Sequence, residues 1–100
     1  MEIIIKKSKK PEKKFEAVID GHKTVPFGAK GYSDYTLHKD PERKDRYIKR
    51  HAGMGETWTK DGIKTPGFYA RWILWNKPTL KGSVDDLNKK FKDVNVKLKL

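Results

Sequence analysis

The segment GFYARWILWN, Gly67 to Asn76, constrains this chain more than any other. As a helix, its Phe68, Tyr69, Trp72, Ile73, Leu74 and Trp75 leave no polar face except near Arg71, so it has to sit at the centre of a core with other elements packed round it. Thr65-Pro66 supplies a cap and then a proline at the first helical position, and Pro78 ends the segment. Trp72 and Trp75 are expected in the core. A charge at Arg71 must snorkel to solvent, pair with a carboxylate such as Asp34 or Asp40, or contact an anionic ligand.

The flanking sequence supplies the partners of that helix. Glu2 to Lys7 reads as a short β-branched strand and Ser8 to Glu12 as a charged turn around Pro11. From Lys13, Phe15, Ala17 and Ile19 alternate with Lys14, Glu16, Val18 and Asp20, the period of a half-buried strand. Asp20-Gly21 is a tight-turn dipeptide, and His22 to Phe27 forms a third strand that Pro26 restricts to an edge. Gly28 and Gly31 then open a loop. Asp40-Pro41-Glu42 starts a helix over about Pro41 to Ala52, which Gly53 and Gly55 end; Met54 to Lys64 is a connection.

Ser83, followed by Asp85 and Asp86, caps a further short helix with Val84, Leu87 and Phe91 on one face. Val94 to Leu100 alternates again, and such a strand needs a neighbour for its backbone, for which Glu2 to Lys7 is the obvious candidate. The expected fold is therefore a single α+β domain, residues 1–100, with a small antiparallel sheet of about four strands on about three helices. The order is β-β-β-α-α-α-β.

Composition bounds the chemistry. The chain has 24 Lys and Arg against 13 Asp and Glu, a net charge of +11 that self-repels unless an anion offsets it; nucleic acid is the usual partner of such a surface. An anionic membrane or an acidic protein is the alternative. There is no cysteine, which excludes disulfides, thiolate catalysis and Cys-based zinc sites. The only imidazoles, His22, His38 and His51, show no metal-binding spacing, and no cofactor is expected. GAKG at Gly28 lacks the spacing and the Lys-Ser/Thr of a phosphate loop. No apolar run is long enough for a membrane span, and the N-terminal apolar run precedes the basic one, the reverse of a secretory signal.

The basic residues concentrate in two blocks. Arg43, Arg46, Tyr47 and Arg50 recur at i, i+3, i+4 and i+7, so three guanidiniums and a phenol share one helical stripe, with Lys44 and Lys49 beside it. Forked guanidinium donors match phosphate oxygens, and Tyr47 can add a hydrogen bond or stack on an unpaired base. The plainer alternative is a solvated face in which Glu42 and Asp45 pair with the cations. The second block, Lys9, Lys10, Lys13 and Lys14 together with Lys6 and Lys7, surrounds the first hairpin turn. It either grips a backbone as an arm or protects a strand edge. Tyr32, Tyr35 and Trp58 flank these regions and suit base stacking, or cover the edges of a small core.

The stretches FGAKGYSDYTLHKDPERKDRYIKRH from Phe27 and GIKTPGFYARWILWNKPTL from Gly62 resemble an uncharacterised family of small basic proteins encoded by large DNA viruses and phages. The resemblance covers about residues 15 to 92 and rests on YSDYT, HKDPERK, RYIKRH and the GF.ARW.LWN.P pattern. It implies a viral origin and a place in infected cells or virions, and it brings no catalytic residues.

The expected function is a non-enzymatic nucleic-acid-binding accessory protein. It would contact DNA or RNA phosphates through Arg43, Lys44, Arg46, Tyr47, Lys49, Arg50, Lys9, Lys10, Lys13 and Lys14 with little sequence specificity. The alternative is a virion structural or packaging protein that binds acidic virion proteins or the packaged genome. A nuclease would need His38 or His51 in a metal cluster or a nucleophile-and-base pair that the sequence does not display. The terminal strand offers an edge for a homodimer.

Overall fold

Ile3 and Ile5 of β1 (Glu2–Lys7) are wholly buried because β1 lies inside a sheet, between β2 (Lys13–Ile19) on one side and β4 (Asn95–Leu98) on the other. β3 (Lys23–Ala29) completes the order β3-β2-β1-β4 in this computed structural model, which describes residues 1–100. Asp20 and Gly21 take φ of 50° and 72°, and His22 N donates to the Ile19 carbonyl at 3.0 Å, the primed turn whose twist suits a tight hairpin. Pro26 lies opposite Glu16 on β3, an edge strand, where a missing N–H is tolerated.

β4 does take β1 as its neighbour, with Glu2 opposite Asn95 and Ile5 opposite Leu98. It runs parallel to β1, so the sheet is mixed and not wholly antiparallel as expected. The reason is topological: the intervening helices return the chain to the end of the sheet where β1 begins, as a crossover between parallel strands requires. The α+β class and the order of elements otherwise follow the sequence.

Four helices make the second layer: α1 (Tyr35–His38), α2 (Pro41–Ala52), α3 (Pro66–Tyr69) and α4 (Leu80–Lys90). α1 falls in what the sequence offered only as a loop; Asp34 caps it by accepting from Thr36 N at 2.9 Å. α2 keeps its expected bounds, capped by Asp40. α4 starts earlier than expected, because Thr79 and not Ser83 is its cap. Ser83 is buried inside the helix, where its hydroxyl accepts from Lys77 N at 3.0 Å.

The central segment begins as α3 but continues through Ala70–Leu74 as a π-helix, with Trp75 N donating to the Ala70 carbonyl at 3.0 Å. One extra residue per turn re-aims the side chains that follow. Phe68, Tyr69, Ile73 and Leu74 enter the core with Ile3, Ile5, Phe27 and Leu87, each burial worth roughly 1.5–3 kcal/mol. Trp72 and Trp75 are only partly buried and flank that core, not centre it: Trp72 turns to Phe91, and Trp75 turns outward toward α2.

Arg71 takes none of the carboxylate partners considered for it. Its guanidinium lies over Trp72 at 4.5 Å and Trp58 at 5.5 Å and donates to the Trp75 carbonyl at 3.0 Å. Burial, relieved in part by the nearby Tyr47 and Asp86, lowers its pKa from the ordinary value.

The outward side of β4 is occupied. Asn88 of α4 accepts from Val96 N at 2.8 Å and donates to the Val96 carbonyl at 3.0 Å, imitating a neighbouring strand at that residue.

Candidate functional site

The period of α2 sets two faces side by side. Lys44, Tyr47, Ile48 and His51 turn toward the protein, and Arg43, Arg46 and Arg50 turn to its flank, where they line a cleft of about 850 Å³ with Tyr47 and His51. The rest of the lining comes from Lys14 and Gly28 of the sheet, the Tyr32–Asp34 loop, Glu56, and Pro66 to Trp75 of the central segment. Gly28 has φ of +78°, and a Cβ there would stand 2.8 Å from Leu74 Cδ1, so both the conformation and the close approach of sheet to helix call for glycine.

Stacked rings hold the arginine helix in place. Tyr47 lies between His51, with centroids 4.1 Å apart, and Trp75, at 4.4 Å with planes 2° from parallel. The column continues from Trp75 to His38 at 5.2 Å and from His38 to Tyr35 at 6.2 Å. No α2 side chain is fully buried, so this column and the His51–Glu56 contact supply much of its attachment. Burial, and then the charge of Glu56, raise the Tyr47 pKa well above its ordinary value, so the phenol stays protonated. His38 is pushed below its usual pKa, first by burial and then by Arg43; its Nδ1 accepts from Asp40 N at 2.9 Å. The His38–Asp40 contact thus runs through backbone and not through the carboxylate.

The acids of the cleft are already engaged. Asp34 accepts from Lys14 Nζ at 2.6 Å as well as from Thr36; Asp34 is buried, its side chain 3% exposed, and that of Lys14 is 14% exposed. Glu56 accepts from Trp58 Nε1 at 3.0 Å through one oxygen and meets His51 Nδ1 at 2.8 Å through the other. By contrast, seven lysine–carboxylate ion pairs form across the protein, and no arginine takes part in any of them or in the His51–Glu56 contact. Three unneutralised guanidiniums therefore face one concavity, an arrangement that attracts a polyvalent anion.

The other candidate residues divide. Lys44 points inward, its ammonium 5.2 Å over the Tyr35 ring, and its pKa is lowered by burial and then by Arg71. Lys49 pairs with Asp45 at 3.0 Å on the exposed surface. Of the hairpin lysines only Lys14 lines the cleft, and it is committed to Asp34; Lys9 and Lys10 stand exposed in the β1–β2 turn, and Lys13 is half-buried. Lys7 and Lys30 line a second groove of about 370 Å³ that meets the cleft at Lys14 and Asp34. Tyr35 and Trp58 carry Lys44 and Arg71 on their ring faces. No three His, Asp or Glu side chains gather as a metal-binding cluster.

Asp34, which the sequence offered as a partner for Arg71, is taken by Lys14 instead, and neither Glu56 nor the place of Trp75 in the wall is marked in the sequence. Asp34 two residues before Thr36 carried a capping signal. Glu56, in an irregular connection, carried none.

A family model described as a family of unknown function (DUF5754) matches residues 3–51, which include most of β1, β2, β3, α1 and most of α2. No curated protein and no solved structure matches the chain. No helix is long and apolar enough to cross a membrane.

Proposed function

We propose that this protein is a non-enzymatic nucleic-acid-binding protein that grips the phosphate backbone, with little sequence specificity, through Arg43, Arg46 and Arg50. The observation that carries this reading is that these three arginines line one cleft and none has a carboxylate partner. Tyr47 holds their helix in register through Trp75, and the net charge of +11 favours encounter with any polyanion. Lys9, Lys10 and Lys13 act as an auxiliary arm outside the cleft. Lys44 and Lys49 are engaged elsewhere and have no part in the grip.

Fluorescence anisotropy with DNA and RNA at low and high salt tests the proposal. Affinity should fall with salt at a logarithmic slope of about 0.9 per phosphate neutralised on duplex DNA and about 0.7 on a single strand. Changing Arg43, Arg46 and Arg50 together to Gln should reduce that slope by about 2 to 3 with the fold intact. No binding at low salt, or binding indifferent to salt, defeats the reading. The setting we propose, an infected cell or a virion, rests on the resemblance in the sequence alone. Virion proteomics separates a packaging role, in which the same arginines meet the packaged genome, from an accessory role outside the particle.

A further inference from the structure

Tyr32 is 74% exposed, lines the arginine cleft, and stacks on no other ring. It is placed there by a turn in which Tyr32 N donates to the Ala29 carbonyl at 3.3 Å, with Gly31 at φ +87°. Positive φ at that position of the turn favours glycine, so the local sequence holds the ring out at the edge of the cleft. A large aromatic surface left in water gives the fold nothing.

The other rings that line the cleft are engaged, His51 by Tyr47 on its face and by Glu56 at Nδ1. Tyr47 is covered on its two sides by His51 and Trp75, and Trp75 is packed by Tyr47 and His38. Tyr32 is the one ring of the lining that stacks on no other, and it stands exposed beside the guanidiniums.

We infer that the cleft takes single-stranded nucleic acid, with a base stacked on Tyr32 and successive phosphates running along Arg43, Arg46 and Arg50. This rests on the nucleic-acid reading above and narrows it. Arg43 to Arg50 covers about 10 Å of helix axis at 1.5 Å per residue, room for neighbouring phosphates of one strand. A duplex presents its phosphates on a convex rod and its bases face inward, so it meets the rim of a concavity and offers Tyr32 nothing to stack on. A single strand can enter an 850 Å³ cleft and splay a base onto a π-face, as aromatic platforms on single-strand-binding surfaces require. A free nucleotide carries the same base and phosphate, and the experiment separates the two.

The test is fluorescence anisotropy at low salt with a labelled oligothymidylate of about 12 nucleotides, its duplex with oligoadenylate, and an abasic strand of equal charge. The base-bearing single strand should bind more tightly than either comparison ligand. Tyr32→Ala should weaken oligothymidylate binding about fivefold to a hundredfold, the equivalent of one stacked base, and leave abasic and duplex binding unchanged. Tyr32→Phe should retain the affinity. Because Tyr32 is exposed, circular dichroism of both variants should match the parent. If Tyr32→Ala binds oligothymidylate like the parent while the arginine triple variant loses affinity for all three ligands, the single-strand assignment is overturned and phosphate binding stands. Displacement of the strand by thymidine monophosphate as efficiently, per nucleotide, as by unlabelled strand overturns it in favour of a nucleotide site. If none of the three ligands binds, both readings fall together.

Discussion

Tyr47 lies flat against Trp75, ring centroids 4.4 Å apart and planes 2° from parallel, and so fastens the arginine helix to the central segment of the fold. Tyr47→Ala should cost about 2 kcal/mol, from lost stacking and half-buried apolar area. The effect should be local, with amide exchange accelerating across residues 41–52 before the sheet opens. Nucleic-acid affinity should fall with it, although Tyr47 is uncharged. Tyr47→Phe keeps the stack and should leave both unchanged; uniform acceleration throughout the protein would argue against an anchoring role.

Lys14 and Asp34 form the most buried ion pair, and each leaves an unpaired charge when the other is removed. Lys14→Met should destabilise by about 3 kcal/mol. Adding Asp34→Asn, whose side-chain oxygen can still cap Thr36, should restore a large part of that loss. Urea unfolding of the four species gives the coupling, and additive single and double effects would contradict this account.

His38 supplies a pH dependence. The folded protein holds its pKa below the ordinary 6.5, so the unfolded chain binds the proton more tightly. Stability is therefore unaffected by this residue above 6.5 and is lost as pH falls from 6.5 through the folded value. Protonation also removes the acceptor that Nδ1 offers to Asp40 N. Melting temperature should drop between about pH 7.5 and about pH 5.5, and His38→Asn, which keeps an acceptor without a charge change, should flatten that drop. An equally steep profile in the variant would assign the dependence elsewhere.

Asn88 shields the open side of β4 at Val96. Asn88→Ala should cost about 1–2 kcal/mol and expose a strand edge able to pair with another copy. Sedimentation velocity across a concentration series should then show self-association that the parent lacks. Unchanged stability together with a strictly monomeric variant would rule out the shielding role.

The strands are legible because alternation survives wherever one sheet face is buried: Ala17, Ile19, Val94 and Val96 fall on the face their alternation assigns. The direction of β4 was not, since Val-Asn-Val-Lys-Leu alternates identically whichever way it runs. α2 was legible to its ends because Asp40, Pro41 and Gly53 mark both. The start of α4 is not legible because Thr79 and Ser83 both offer a capping hydroxyl, and it is Thr79 that accepts from Gly82 N. The outward turn of Trp75 depends on a hydrogen bond five residues back, which a pattern of period 3.6 does not register. The arginine stripe could be read from spacing alone. What faces it could not, because Asp34, Glu56 and Trp75 reach the cleft through tertiary packing.

The parallel pairing of β1 with β4 has a consequence for how the chain acquires its shape. β1 is paired on one side by β4, from which β2, β3 and all the helices separate it, so the sheet cannot take in β4 until every residue between them has been synthesised. Contacts so distant in sequence slow folding, and in the interval Ile3, Ile4 and Ile5 present an unpaired, β-branched edge of the kind that recruits other nascent chains. The lysines at 6, 7, 9 and 10 follow that edge directly, and their mutual repulsion protects it during those moments.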